Sequence, residues 1–173
     1  MSSSEGSSGL IRKAIWDFSV ILNVTIGRPP MDVWSFFLGE KKNVWTMSEY
    51  TTIEGEVGEV GEVYTHAHRV HGFQVLYEAI NVNPERHLVL KITIRESTEE
   101  KGHLMGYDFI TLKEVAGGTV VGFQQATALP VEKTVEELHA LTLQHNERIV
   151  GLFQNLKKVV EASVERRIEK NER

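Results

Sequence analysis

The longest regular pattern in the chain lies near its end, from Thr134 to about Val164, and it limits what the rest can be. Leu138, Leu141, His145, Ile149, Leu152, Leu156 and Val159 recur at steps of three and four, which places them on one face of an α-helix. Thr134 and Glu137 stand at the spacing of a capping box, in which each side chain serves an unpaired backbone N–H at the helix start. Glu136 adds a favourable charge at that end. Such a helix is on the order of 45 Å long at ~1.5 Å per residue, more than a compact core of this size requires. It must therefore lie across something wide.

The preceding residues supply a run of strands. From Ile15 to Ile26, Trp16, Phe18, Val20, Leu22, Val24 and Ile26 alternate with polar residues, the signature of a strand with one buried face. Gly27, Arg28, Pro29 and Pro30 break it, and proline suits the first position of the short helix expected at Met31–Leu38. A turn at Gly39–Asn43 leads to a second helical turn, Val44–Met47, carrying Trp45. Tyr50–Val70 is interrupted by three copies of Gly-Glu-Val from Gly55 to Val63, read as a hairpin connection whose glutamates keep the edge solvated. Two more strands, Phe73–Val82 and Leu88–Glu96, flank an Asn83-Pro84-Glu85-Arg86 turn. A polar loop, Ser97–Gly102, precedes a strand at His103–Lys113. The turn Ala116-Gly117-Gly118 precedes the last strand, Thr119–Leu129, which Pro130 is expected to end. Strands joined by tight turns, with helices set apart, define an α+β chain built on an antiparallel sheet. A twisted sheet of six to seven strands curls, and one long helix cannot fill its concave side.

Several of these motifs, taken in order, resemble the START-like or Bet v 1-like (SRPBCC) superfamily, most closely its polyketide cyclase/dehydrase and lipid-transport branch. They are Pro29-Pro30-Met31-Asp32-Val33-Trp34, Trp45, the Gly58 and Gly61 hairpin, Glu78, Asn83-Pro84-Glu85-Arg86-His87-Leu88 and Gly117-Gly118-Thr119. The resemblance runs from about Trp16 to Val164. It implies a helix-grip fold, in which a curved antiparallel sheet of six to seven strands wraps around a long C-terminal helix, with two short helices after the first strand. It also implies an apolar pocket for lipids, polyketides or other hydrophobic small molecules. The superfamily shares no catalytic motif. Some members are cyclases or dehydratases, others carry ligands, and one branch activates the Hsp90 chaperone, so the fold leaves the chemistry open.

The expected cavity walls are Trp16, Phe18, Leu22, Tyr64, His66, Tyr77, Leu90, Ile92, Tyr107, Phe109, Leu141, His145 and Ile149. His145 is the sharpest single residue, because an imidazole centred in an apolar helix face needs a partner: a core tyrosine or carbonyl, a ligand, or a proton-transfer role. His66 and His68 share a strand face with Tyr64, with His71 just beyond; they read as polar pocket lining, as structural residues, or, less naturally, as metal ligands, since no carboxylate completes a set. Tyr107 joins His145 and His66 as a candidate acid-base group. Tyr77 and Tyr107 are placed on the faces of Phe73, Val75, Met105 and Phe109, which leaves Glu78 and Asp108 solvated. Three functions compete: a carrier of a hydrophobic small molecule, a cyclase or dehydratase-type enzyme, and an Hsp90-activator-like interaction module.

Composition narrows the field. At 173 residues the chain is expected to form one domain, residues 13–166, between a flexible leader at 1–12 and a charged tail at 167–173. A formal charge of −5 and no concentrated basic face argue against nucleic acid. The absence of cysteine removes disulfides, thiolate metal sites and cysteine nucleophiles, and suits a reducing, cytoplasmic location. No apolar run approaches the ~20 residues of a membrane span. No phosphate-binding glycine loop, dinucleotide fingerprint or Ser-His-acid set occurs, and no cofactor is expected.

Overall fold

A computed structural model describes residues 14–96 and 102–171. The elements follow the alternation and helix patterns of the sequence. Strand β1 (Ala14–Ile26) is followed by helix α1 (Pro30–Trp34), a 3-10 turn (Ser35–Phe37) and helix α2 (Lys41–Thr46). Then come β2 (Tyr50–Glu54), β3 (Val63–His66), β4 (Gln74–Asn83), β5 (His87–Arg95), β6 (His103–Val115), β7 (Gly118–Val131) and helix α3 (Val135–Asn171). The leader at residues 1–12 and most of the expected 97–102 loop lie outside the described residues.

All seven strands form one antiparallel sheet in the order β1-β7-β6-β5-β4-β3-β2. Register shifts at Thr52/Glu54, Ala79/Asn81 and on β6 beside Ile92/Thr93 mark bulges, which bend strands and increase local twist. The concave side faces α3, whose capping box forms as expected. The Thr134 N–H donates to Glu137 Oε2 at 2.7 Å, and the Glu137 N–H to Thr134 Oγ1 at 3.3 Å.

Helix α3 comes closest to β1 on one side and α2 on the other. Its later half buries Ile149, Phe153, Leu156 and Val160 in a cluster with Phe36, Phe37, Trp45, Leu88, Leu90 and Phe123. Asn155 Nδ2 donates to the Trp45 carbonyl at 2.7 Å, and Lys157 Nζ to the Thr25 carbonyl at 2.6 Å. Its earlier half contributes only Leu138 and Leu141, partly buried, to a second cluster around Trp16, Phe18, Val75, Ile92 and Leu129. The helix is thus held most firmly between Ile149 and Val160 and more loosely at its start.

Three local readings change. Glu62, the third glutamate of the Gly-Glu-Val repeat, is not solvated: it is buried, accepts from Thr52 Oγ1 at 2.7 Å and the Gly58 N–H at 2.8 Å, and lies 3.7 Å from Lys42 Nζ. The loop glycines Gly55, Gly58 and Gly61 all have positive φ, which turns this carboxylate inward. Pro130 does not end β7. The strand runs on to Val131, because its pairing with β6 stops at Thr127 and a missing N–H costs little where one side carries no ladder. On β6 the inward face is reversed. Asp108, Ile110 and Leu112 are buried, while Phe109 is 39% exposed and Tyr107 half-buried on the convex side, opposite Lys91. The bulge at Met105 slips the alternation by one residue. Gly106 is required there, since a Cβ would stand 2.1 Å from the Ala126 carbonyl oxygen.

Candidate functional site

Two adjoining compartments lie between the sheet and α3. The larger, about 490 Å³, has a floor of Tyr64, Tyr77, Leu88, Leu90, Ile110 and Phe123 from the concave face. Lys42, Trp45 and Thr46 of α2 close one side, Ile149, Leu152 and Phe153 of α3 form the roof, and Tyr50, His66, His68 and Arg69 stand at the rim. The smaller, about 270 Å³, lies beneath the earlier half of α3 among Trp16, Phe18, Val75, Ile92, Met105, Leu141 and His145. Val70, Tyr77, Gln125 and Arg148 border both. A separate open groove of about 600 Å³, lined by His71, Phe73, Ile94 and the 130–133 segment among others, gathers none of the buried polar groups.

Of the expected wall residues, Tyr64, His66, Tyr77, Leu90 and Ile149 line the larger compartment. Trp16, Phe18, Ile92, Leu141 and His145 line the smaller, with Tyr77 shared. Leu22 lines neither and packs against the core instead. Tyr107 and Phe109 face away across the sheet for the reason given above, so Tyr107 is no acid-base candidate for this cavity.

The polar centre is a chain of three side chains. Gln125 Nε2 donates to Asp108 Oδ1 at 2.8 Å, and Gln125 Oε1 lies 2.5 Å from His145 Nε2. With the Gln125 amide oxygen facing the imidazole, the proton of that hydrogen bond is on His145 Nε2. Nδ1 is left as an acceptor. The His145 ring packs edge-on against Trp16 and Phe18, with centroids 5.8 and 4.6 Å away. Burial, helped by the charge of Arg148, lowers its pKa to about 4, so the ring is neutral. Burial pushes Asp108 up to about 7, against the opposing hydrogen bond from Gln125.

Three phenols make the second feature. Tyr64 and Tyr77 stack at 5.3 Å, and Tyr50 stands edge-on to both at 5.5 and 5.9 Å. Burial raises all three above the usual phenol range, so they remain neutral hydrogen-bonding groups. Lys42 Nζ sits 3.2 Å from the Tyr64 ring centroid, and burial lowers its pKa to about 8 despite Glu62. His66 Nδ1 is buried without a hydrogen-bond partner among the described residues, and burial lowers the ring's pKa. His68 lies beyond the end of β3 and is exposed, so the two histidines do not share a strand face. No cluster of three or more His, Asp or Glu that could hold a metal occurs among the described residues.

Sequence reasoning missed Lys42, Tyr50, Asp108, Gln125 and Arg148. Two were within reach: Gln125 interrupts the inward series Val121, Phe123, Leu129 on β7, and Arg148 lies three residues beyond His145 on α3. Asp108 was hidden by the β6 bulge.

No family model matches the chain, and no curated protein matches it. Solved structures do match over most of its length. An uncharacterized protein from Rhizobium leguminosarum aligns over 87% of this chain and 99% of its own at 11% identity, with a TM-score of 0.64. The Aha1 dimer protein from Colwellia psychrerythraea covers 83% and 96% at 16% identity and 0.58. Ara h 8.0201 covers 86% and 99% at 13% identity and 0.58. The chain has an α+β helix-grip fold. More particularly, it shares the helix-grip fold of these solved structures, a curved seven-stranded antiparallel sheet with a long C-terminal helix and two short helices after the first strand.

Proposed function

We propose that this protein binds or carries a hydrophobic small molecule in the cavity between the curved sheet and α3, with residues 13–166 acting as one ligand-binding domain. The observation that carries this reading is the pair of adjoining compartments, about 490 and 270 Å³, in which aliphatic and aromatic walls meet fixed polar groups. Sites of that size and lining bind drug-sized ligands: apolar area gives affinity and the polar tips set orientation. Native mass spectrometry of the purified protein, followed by solvent extraction, tests it. A discrete apolar adduct, or one acquired from a panel of lipids and polyketides, is expected. An unliganded mass that survives the whole panel overturns the reading.

A second reading, acid-base chemistry of the cyclase or dehydratase kind, is favoured by the hydrogen-bonded chain from Asp108 through Gln125 to His145. With Nε2 committed to Gln125, Nδ1 is the atom that would take a proton from a bound ligand. His66 would serve the larger compartment. Substitution separates the two functions: His145→Ala abolishes turnover by an enzyme, whereas a carrier loses only part of its affinity. The likeness to Aha1 is one of fold and supports no particular protein partner.

A further inference from the structure

The chain is acidic overall, with a formal charge of −5, yet the larger compartment carries the opposite balance. Its walls hold Lys42, Arg69 and Arg148 against one carboxyl group, Asp108, and with Glu62 offsetting Lys42 from beside the wall, the two guanidiniums remain. Low-dielectric walls focus such a field toward the opening, so the cavity attracts anions although the whole protein repels them.

The three cations are not equivalent. Lys42 Nζ is sealed beneath the Tyr64 ring beside Glu62, and Arg69 Nη1 donates to the Gly72 carbonyl at 2.9 Å. Arg148 forms no hydrogen bond or ion pair among the described residues. Its side chain is solvent-exposed and borders both compartments. Its charge acts on Tyr50, His66, Tyr77 and His145, residues of the two compartments it borders. Asp108, the carboxyl group lining the larger compartment, is already engaged by Gln125. A guanidinium presents five donors in a rigid fork that fits a planar carboxylate with two parallel bonds. Here that fork borders both compartments, and no carboxylate pairs with it among the described residues.

We propose that the ligand is a carboxylate-headed apolar molecule whose head group pairs with Arg148, with its body in the adjoining compartments. The proposal rests on the small-molecule reading above. It predicts discrimination by head group, not by chain.

The test compares palmitate, its methyl ester and hexadecanol as ligands for the full chain at pH 8, by titration calorimetry at low and high salt. The wild type should bind palmitate about tenfold or more tightly than the ester or alcohol, and added salt should shrink that preference. Arg148→Gln should abolish the preference, with palmitate affinity falling about tenfold toward that of the ester. Arg148→Lys, which keeps the charge and loses the fork, should fall between them. Because Arg148 is exposed and unbonded, both variants should melt as the wild type does. Equal binding of acid and ester by the wild type, or a preference that survives Arg148→Gln, overturns the proposal and leaves the cavity reading intact. Failure of all three probes to bind overturns both for long-chain ligands.

Discussion

Asp108 and His145 are joined through a single side chain, with Gln125 giving its amide N–H to one and offering its oxygen to the other. Their pKa values move in opposite directions, from 3.8 up to about 7 for Asp108 and from 6.5 down to about 4 for His145. Between about pH 4 and 7, folded Asp108 keeps a proton that the unfolded chain has released, so its contribution to stability falls as pH rises. Over about pH 4 to 6.5, folded His145 is neutral while the unfolded chain is charged, so its contribution rises with pH.

The two slopes oppose each other, and removing one should expose the other. Asp108→Asn keeps an acceptor for Gln125 but no titratable group. Relative to the wild type, its stability should climb with pH by on the order of 1 kcal/mol per unit between about pH 4.5 and 6.5. Urea denaturation across that range measures the difference, and a pH-independent offset would show that Asp108 does not titrate there.

Lys42 and Glu62 should respond asymmetrically to substitution. Without Lys42, the carboxylate keeps two donors, the Thr52 hydroxyl and the Gly58 N–H. Without Glu62, the ammonium is left buried over the Tyr64 ring with no anion beside it. Lys42→Met should therefore change unfolding free energy by less than about 1 kcal/mol, and Glu62→Ala should cost about 3 kcal/mol. A double variant no worse than Glu62→Ala alone is also expected. Equal losses from the two single variants would contradict this account.

Gly106→Ala tests the bulge on β6. The added methyl would collide with the Ala126 carbonyl oxygen and the Thr127 backbone, neither of which can rotate away. A loss of about 3 kcal/mol is expected by chemical denaturation. If the variant is as stable as the wild type, the β6–β7 crossing is not as tight as described.

Thr134→Ala removes half of the capping box at the start of α3. The loss should be about 1 kcal/mol, and because few core contacts hold that end, it should appear as faster amide exchange in the first turns only. Uniformly faster exchange along α3 would mean that both halves open together.

The architecture was legible because it rests on periodicity. Alternation in β1 and β5 and the three-four spacing of α3 survive without tertiary knowledge, as does the capping pair Thr134 and Glu137. The site was only half legible, since His145, His66 and Tyr77 stand out as polar groups on apolar faces. What failed did so where a face is set by a partner strand. Carrying the phase of Met105 forward puts Tyr107 inward and Asp108 outward; one unpaired residue inverts both, and that residue is visible only in the register with β5. Glu62 failed similarly, because nothing local distinguishes the third copy of Gly-Glu-Val from the first two. Its burial depends on Lys42 of another element.

The register of β1 governs the order in which the protein can be made. Ala14 pairs with Val131 and Ile26 with Thr119, and among the described residues β1 has no other strand partner. On the ribosome the first strand therefore waits, with Trp16, Phe18 and Val20 uncovered, until β7 has emerged. The strands from β2 to β6 can meanwhile zip as successive neighbours. The long-range closure of β1 comes late and slowly, and the emerging chain carries that apolar face uncovered while β2 to β6 are made.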